Sequence, residues 1–284
     1  MSNIIIITDS DASLPPDLAA QYGVLQVPII VQFGEEAFET GVDINDASLF
    51  ERVDRENKLP TTSAPSPGAF VKAFQAAFDD GADAVVCICV SSEISATYSA
   101  ALTARETFAD RDISVVDSLT LSMGQGFMVL AAAEAAQNGA SVEEIVAQAT
   151  DLGPRLHVYA ALSTLKYLAM SGRVGKLAAG VADTFNVKPI LSVQNGKLEL
   201  LEKVRTQKKA VARVLDLVSQ SVGDGSIERM AIIHVTNPVG ARALQEQLCA
   251  QLTCPDTVII AEFSAGLSVH AGAGVVGVVV VTDR

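Results

Sequence analysis

Two hydroxyl-rich stretches carry most of the chemical potential of this chain. One reads Pro60-Thr61-Thr62-Ser63-Ala64-Pro65-Ser66-Pro67-Gly68, the other Ser91-Ser92-Glu93-Ile94-Ser95-Ala96-Thr97-Tyr98. Each reads as a loop leading into an amphipathic helix, so hydroxyls and helix N-terminal amides would converge on whatever sits there. An anion suits such a place, because unpaired N–H groups and the helix dipole both favour negative charge.

Three further side chains could meet an anion. His270 lies in Gly266-Leu267-Ser268-Val269-His270-Ala271-Gly272-Ala273-Gly274, which reads as a loop whose small residues permit close backbone approach. Arg173 sits in the glycine-flanked basic turn Ser171-Gly172-Arg173-Val174-Gly175-Lys176, and Arg205 lies at a strand end beside Lys208 and Lys209. These are basic islands in a chain of formal net charge −13.

Other chemistries find less support. His157, His234 and His270 are widely separated with no carboxylate at paired ligand spacing, so no metal centre is expected, and His157 and His234 read as structural. No Gly-x-Ser-x-Gly elbow surrounds any serine, and a hydrolase pairing Ser95 with His270 has nothing else to support it. There is no Gly-x4-Gly-Lys-Ser/Thr loop. Gly124-Gln125-Gly126 lacks the third glycine of a dinucleotide fingerprint and reads as a helix-packing site. No catalytic residue and no cofactor follow from the sequence.

Composition narrows the class. The 284 residues suffice for one large or two ordinary domains. Hydrophobic residues make up 49% and aromatics 5%, with no tryptophan, so the core is aliphatic. No apolar run approaches the roughly 18 residues of a membrane span. The acidic balance argues against a nucleic-acid partner, which needs a cationic face. Met1-Ser2-Asn3 lacks the charged and apolar regions of a signal peptide, and a cytoplasmic location is expected. Cys87 and Cys89 alternate on one strand, Cys249 and Cys254 flank a helix end, and all four are expected as reduced structural thiols.

The elements that must position these residues follow from periodicity. The first half alternates strand and helix: strands at 4–8, 24–33, 84–90 and 113–117, and helices at 46–53, 68–78 and from about 122. Pro28 implies an edge or an irregularity in the second strand. Ser141 with Glu144 has capping-box spacing. The alternation predicts an N-terminal, mostly parallel sheet with flanking helices, whose strand carboxyl ends bear Asp9, Ser10, Ser91, Ser92, Asp117 and Ser118. The pattern changes near Gly153-Pro154, so domains 1–154 and 155–284 are expected. Asn195-Gly196 marks a tight hairpin between strands 188–193 and 197–204. Further strands at 230–235, 257–263 and 275–281, with helices at 208–222 and 239–251, predict a mixed or antiparallel sheet in the second half. The fold class is α/β.

With these residues in view, the chain resembles the DegV family over nearly its whole length. The matching pieces are Thr8-Asp9-Ser10, Pro60-Thr61-Thr62-Ser63 with Pro65-Ser66-Pro67-Gly68, Ser91-Ser92 through Ser95 with Thr97-Tyr98, and Asp117-Ser118 with Gly124 and Gly126. Lys166-Tyr167-Leu168 with Gly172-Arg173, Lys188-Pro189-Ile190-Leu191, Val204-Arg205-Thr206 and His270 complete the set. Each is weak alone; their number and order are specific. The resemblance implies a two-domain α/β protein that holds one long-chain fatty acid, such as hexadecanoate, in an internal apolar tunnel. It assigns the carboxylate to Thr62 and Ser95, with Thr61 and Ser63 adjacent, and head-group or kinase-facing roles to Arg173, Arg205 and His270. It also implies a separate ATP-binding fatty acid kinase subunit as partner, with transient membrane-surface contact compatible with that role. Ala96, Ser171, Ala271 and Ala273 depart from the family pattern. A lipid-sensing interaction protein and a stand-alone phosphotransferase or hydrolase are the alternative classes.

Overall fold

The computed structural model describes residues 2–172 and 187–283. Its first half opens with β1 (Ile4–Asp9), α1 (Pro16–Tyr22), β2 (Leu25–Val27), β3 (Ile30–Phe33) and β4 (Glu36–Glu39). There follow α2 (Asp46–Glu56), β5 (Thr61–Ser63), α3 (Pro67–Asp79), β6 (Ala84–Cys89), α4 (Thr97–Arg105), β7 (Asp112–Asp117), α5 (Met123–Gln137) and α6 (Val142–Asp151). A four-stranded sheet, ordered β2-β1-β6-β7, is parallel throughout. Such a sheet is covered on both faces, and every residue of β6 is accordingly buried. The capping box at Ser141 forms as the spacing predicts, with Ser141 Oγ accepting from Glu144 N.

The single strand expected over 24–33 is two. Pro28 cannot donate to a ladder, and the chain leaves the parallel sheet after Val27 to re-enter a different one at Ile30. That second sheet, ordered β4-β3-β5, is a small antiparallel layer not foreseen in the sequence. It takes in part of the first hydroxyl stretch, so Thr61–Ser63 is a short edge strand rather than a loop.

The remaining described elements are β8 (Leu156–Ala161), α7 (Lys166–Met170), β9 (Lys188–Gln194), β10 (Lys197–Val204), α8 (Gln207–Val222), β11 (Ile227–His234), α9 (Pro238–Gln251), β12 (Val258–Glu262), α10 (Ala265–Ala271) and β13 (Val276–Thr282). Six of them form a mixed sheet ordered β10-β9-β8-β13-β11-β12, antiparallel except for the β11–β12 pair. Asn195-Gly196 turns the β9–β10 hairpin, both residues at positive φ as a tight turn requires.

Side chains alternate across this sheet with the period of two that strands impose. Ala161, Met230, Ile232, Val276, Val278 and Val280 face α8 and α9. Val158, Ala160, Leu162, Ile233, Val279 and Val281 face the opposite way, into a core shared with Ile4, Ile6 and α5. The cysteine expectation is corrected here: Cys249 and Cys254 form a disulfide, while Cys87 and Cys89 are free and buried in β6. Cys254 lies past the helix end at Gln251, which returns the chain close to Cys249. No described helix is long and apolar enough to cross a membrane.

Candidate functional site

α10 is the element on which the site depends, and it corrects the loop expected around His270. Ser264 caps it, its Oγ accepting from Leu267 N. The glycines that suggested a loop serve close packing instead. A Cβ on Gly266 would crowd Asp11 and Ile29, and one on Gly272, at φ +78°, would overlap the Tyr167 ring on α7. α10 is therefore pressed between α7 and the first-half loops, and His270 projects from its last turn.

The His270 Nε2 lies 2.7 Å from Thr62 Oγ1, and which of the two donates depends on the imidazole tautomer. β5 explains why Thr62 and neither neighbour makes this contact. Thr62 pairs with Val31 of β3, and side chains alternate along a strand, so Thr61 and Ser63 point away and are exposed. Thr62 and His270 are each half-buried.

His270 also lines a cavity of about 60 Å3 between α10, α7 and one face of the six-stranded sheet. The other walls are almost wholly aliphatic: Leu162, Leu168, Leu191, Leu198, Ile233 and Leu267 are typical. His270 is the one titratable side chain lining it among the described residues. A hydroxyl and an imidazole thus meet at the edge of an apolar void.

Ser95 is placed differently. Its Oγ lies 2.8 Å from Thr97 Oγ1 and accepts from Thr97 N at 3.3 Å, at the start of α4. The described contacts do not join it to Thr62 or His270. Arg205 is exposed in the turn between β10 and the Thr206 cap of α8. Arg173 falls outside the described residues.

The acidic and hydroxyl groups at the carboxyl ends of the parallel strands hold loops in place. Asp9 is fully buried and accepts from Val90 N, Asp11 N and Gln125 Nε2. Burial raises its pKa to about 6 against the opposing pull of these donors. Asp117 accepts from Ser92 N and Leu119 N. Ser91 Oγ donates to Gly196 O, fastening the β9–β10 turn to the first half. Gln125 also donates to Thr8 Oγ1, a role its glycine-flanked position did not signal. His157 stacks on Tyr159, and His234 Nδ1 accepts from Asn237 N near the start of α9; burial lowers the pKa of both. Among the described residues, no three His, Cys, Asp or Glu side chains are placed to hold a metal ion.

The sequence profile of the DegV family, described as uncharacterised proteins, matches residues 3–283. The chain belongs to the DegV family. A DegV domain-containing protein of Halalkalibacterium halodurans is 35% identical to it over 277 residues, 98% of each chain. A DegV family protein from Thermus thermophilus, described by its fatty acid binding, superposes with a TM-score of 0.92 at 29% identity, covering 99% of this chain and 100% of that one. DegV of Bacillus subtilis, described as a fatty acid binding protein, gives a TM-score of 0.88 at 32% identity with both chains fully covered. The likeness extends over the whole chain, so all three sheets lie within the shared DegV fold.

Two site-adjacent residues escaped sequence reasoning. Asp46 opens α2 yet is buried, and Ser268 Oγ, two residues before His270, donates to its Oδ2 at 2.9 Å. An Asp following Asn45 has the pattern of an ordinary exposed helix start, so nothing in the sequence marked it.

Proposed function

We propose that this DegV-family chain binds one long-chain fatty acid, its acyl tail against the aliphatic face of the six-stranded sheet and its carboxylate at Thr62. The observation that carries this reading is the Thr62–His270 contact at the edge of an otherwise aliphatic cavity. A carboxylate buried without donors is prohibitively costly, and a hydroxyl beside an imidazole supplies donors where an apolar wall cannot. Fatty acid binding by the Thermus thermophilus and Bacillus subtilis relatives supports the same ligand class.

Burying about 14 methylenes at about 0.8 kcal/mol each contributes on the order of 11 kcal/mol before association costs. The driving force is ample. A volume of about 60 Å3 holds only a few waters, so the walls separate as the chain enters. The short helices α7 and α10 are the parts of that wall that yield. Ser95 then supplies a second hydroxyl from the loop before α4, with Thr61 and Ser63 at the rim.

The chain acts as a carrier for a separate ATP-using kinase subunit. A carboxylate oxygen attacks the γ-phosphorus, the bond to the bridging oxygen breaks, and ADP leaves with the partner, giving an acyl phosphate. The absence of a phosphate-binding loop from the sequence and the exposure of Arg205 support this division of labour. Arg205 faces the partner, and Arg173 is assigned the same role by the family resemblance alone.

Native mass spectrometry of delipidated protein loaded with hexadecanoate tests the first step, with a single 1:1 adduct expected. Trapping acyl phosphate with hydroxylamine tests the second: hydroxamate forms only with both subunits and ATP, and Arg205→Ala lowers its yield while the adduct persists. An adduct without hydroxamate would leave a lipid sensor; hydroxamate from this chain alone with ATP would make it an enzyme.

A further inference from the structure

A second recess, of about 380 Å3, adjoins the N-terminal end of α10, where Ser264 and Ala265 line it. It sits at the carboxyl ends of β1, β2 and β12, where ligands of parallel sheets collect, and is walled by the β4–α2 turn. Its size falls within the range of small-molecule sites. The apolar part of its wall is formed by Leu14, Pro15, Pro28, Val42, Ile260 and Phe263.

Two of its polar residues are left incomplete. Asp46 is 2% exposed and Thr40 5% exposed, yet Asp46 Oδ1 and Thr40 Oγ1 have no hydrogen-bond partner among the described residues. Ser268 serves only the other oxygen of Asp46. A buried, unpaired oxygen costs about 1–3 kcal/mol and is more costly when charged, so a site that retains two of them has a use for a donor. Glu262 also lines the recess, with His234 Nδ1 3.8 Å from its Oε1, and among the described residues no Lys, Arg or His lines the recess itself. Burial, with the Glu262 charge adding to it, raises the Asp46 carboxyl to about 7. A cation brought beside it would restore the carboxylate.

From this geometry we propose that the recess binds a small primary alkylammonium compound, its ammonium on Asp46 and Thr40 and its alkyl part on the proline and leucine wall. The compact ammonium presents three donors, matching in number the two orphaned oxygens and the Glu262 carboxylate that share this recess. Apart from Ser10, Ser13, Gln26, Asn45 and Ser264, the rest of the wall is apolar and suits an alkyl tail. This site stands apart from the fatty acid reading and does not depend on it.

Titration of butylammonium chloride into the full chain, followed by amide NMR above the Asp46 titration, tests the assignment, with 1-butanol and sodium chloride as controls. Saturable shifts are expected at Thr40, Asp46 and Glu262 with butylammonium alone. Asp46→Asn is expected to weaken binding about tenfold or more, the value of a hydrogen bond to a charged group. Thr40→Val is expected to weaken it less. Equal shifts with 1-butanol or with sodium chloride, or shifts confined to other regions, would overturn the proposal. The wild-type contrast between butylammonium and 1-butanol decides the matter independently of the variants.

Discussion

The two faces of the six-stranded sheet are made of the same aliphatic residue types and behave differently. On one face Met230, Ile232, Val276, Val278 and Val280 lie under α8 and α9, helices of 16 and 14 residues, and the packing is close. On the other, α5 packs toward β11 and β13, but among the described residues the cavity beside β8 and β9 is closed by α7 and α10, of 5 and 7 residues. The difference lies in the cover. Long helices carry continuous apolar stripes that fill the grooves of a sheet, whereas short ones meet it at separate points. A void against an otherwise close-packed sheet is therefore a property of topology, and polar groups at its edge give it a use.

The largest expected effect breaks the solid face. Ile232→Ala removes a fully buried side chain beneath α9 and should cost about 2–5 kcal/mol in chemical denaturation, with no direct effect on ligand.

The fastening of the cavity cover should show in the pH profile. Asp46 holds Ser268 of α10, and burial raises its pKa from 3.8 to about 7. The folded state therefore binds this proton more tightly than the unfolded chain. Its contribution to stability is full below 3.8, declines as pH rises, and is lost once pH passes about 7. Asp46→Asn should flatten this decline and raise stability on the alkaline side by a few kcal/mol, measured as melting temperature against pH.

Adjacent residues of β8 give a sharper contrast. Ala161 faces α8 and Ala160 faces the cavity. Ala161→Leu should overpack and cost about 1–3 kcal/mol. Ala160→Leu should cost under about 1 kcal/mol by filling space, while weakening hexadecanoate binding in the adduct assay. Equal destabilisation by both would remove the distinction between the faces.

The smallest effect is at the cavity edge. Thr62→Val keeps the shape and β-propensity of the side chain but removes its hydroxyl. Hexadecanoate affinity should fall about tenfold or more with an unchanged melting temperature, a hydrogen bond to a charged group being worth about 1.5–3 kcal/mol.

Much of this arrangement was legible in the residues. The parallel sheet followed from alternation, the hairpin from Asn195-Gly196, and the α6 start from Ser141 and Glu144. Thr62 and His270 were both singled out, and the fold brings them to 2.7 Å. What was not legible depends on tertiary pairing. β5 exists because β3 offers it an edge, and only that pairing turns Thr62 inward and Thr61 and Ser63 outward. α10 resembles a loop in sequence because Gly266 and Gly272 were chosen for close approach to Asp11, Ile29 and Tyr167. The pairing of Cys249 with Cys254 needed the end of α9 to be located. Asp46 looked like a solvated helix start until Ser268 was found packed on it.

A crystal structure of the protein loaded with hexadecanoate tests the central claim most directly. The account predicts the acyl chain along the Ala160 and Leu191 face of the sheet, with α7 or α10 displaced and a carboxylate oxygen within hydrogen-bond distance of Thr62 Oγ1. A chain lodged elsewhere, or a carboxylate in solvent with the Thr62–His270 bond intact, would contradict it.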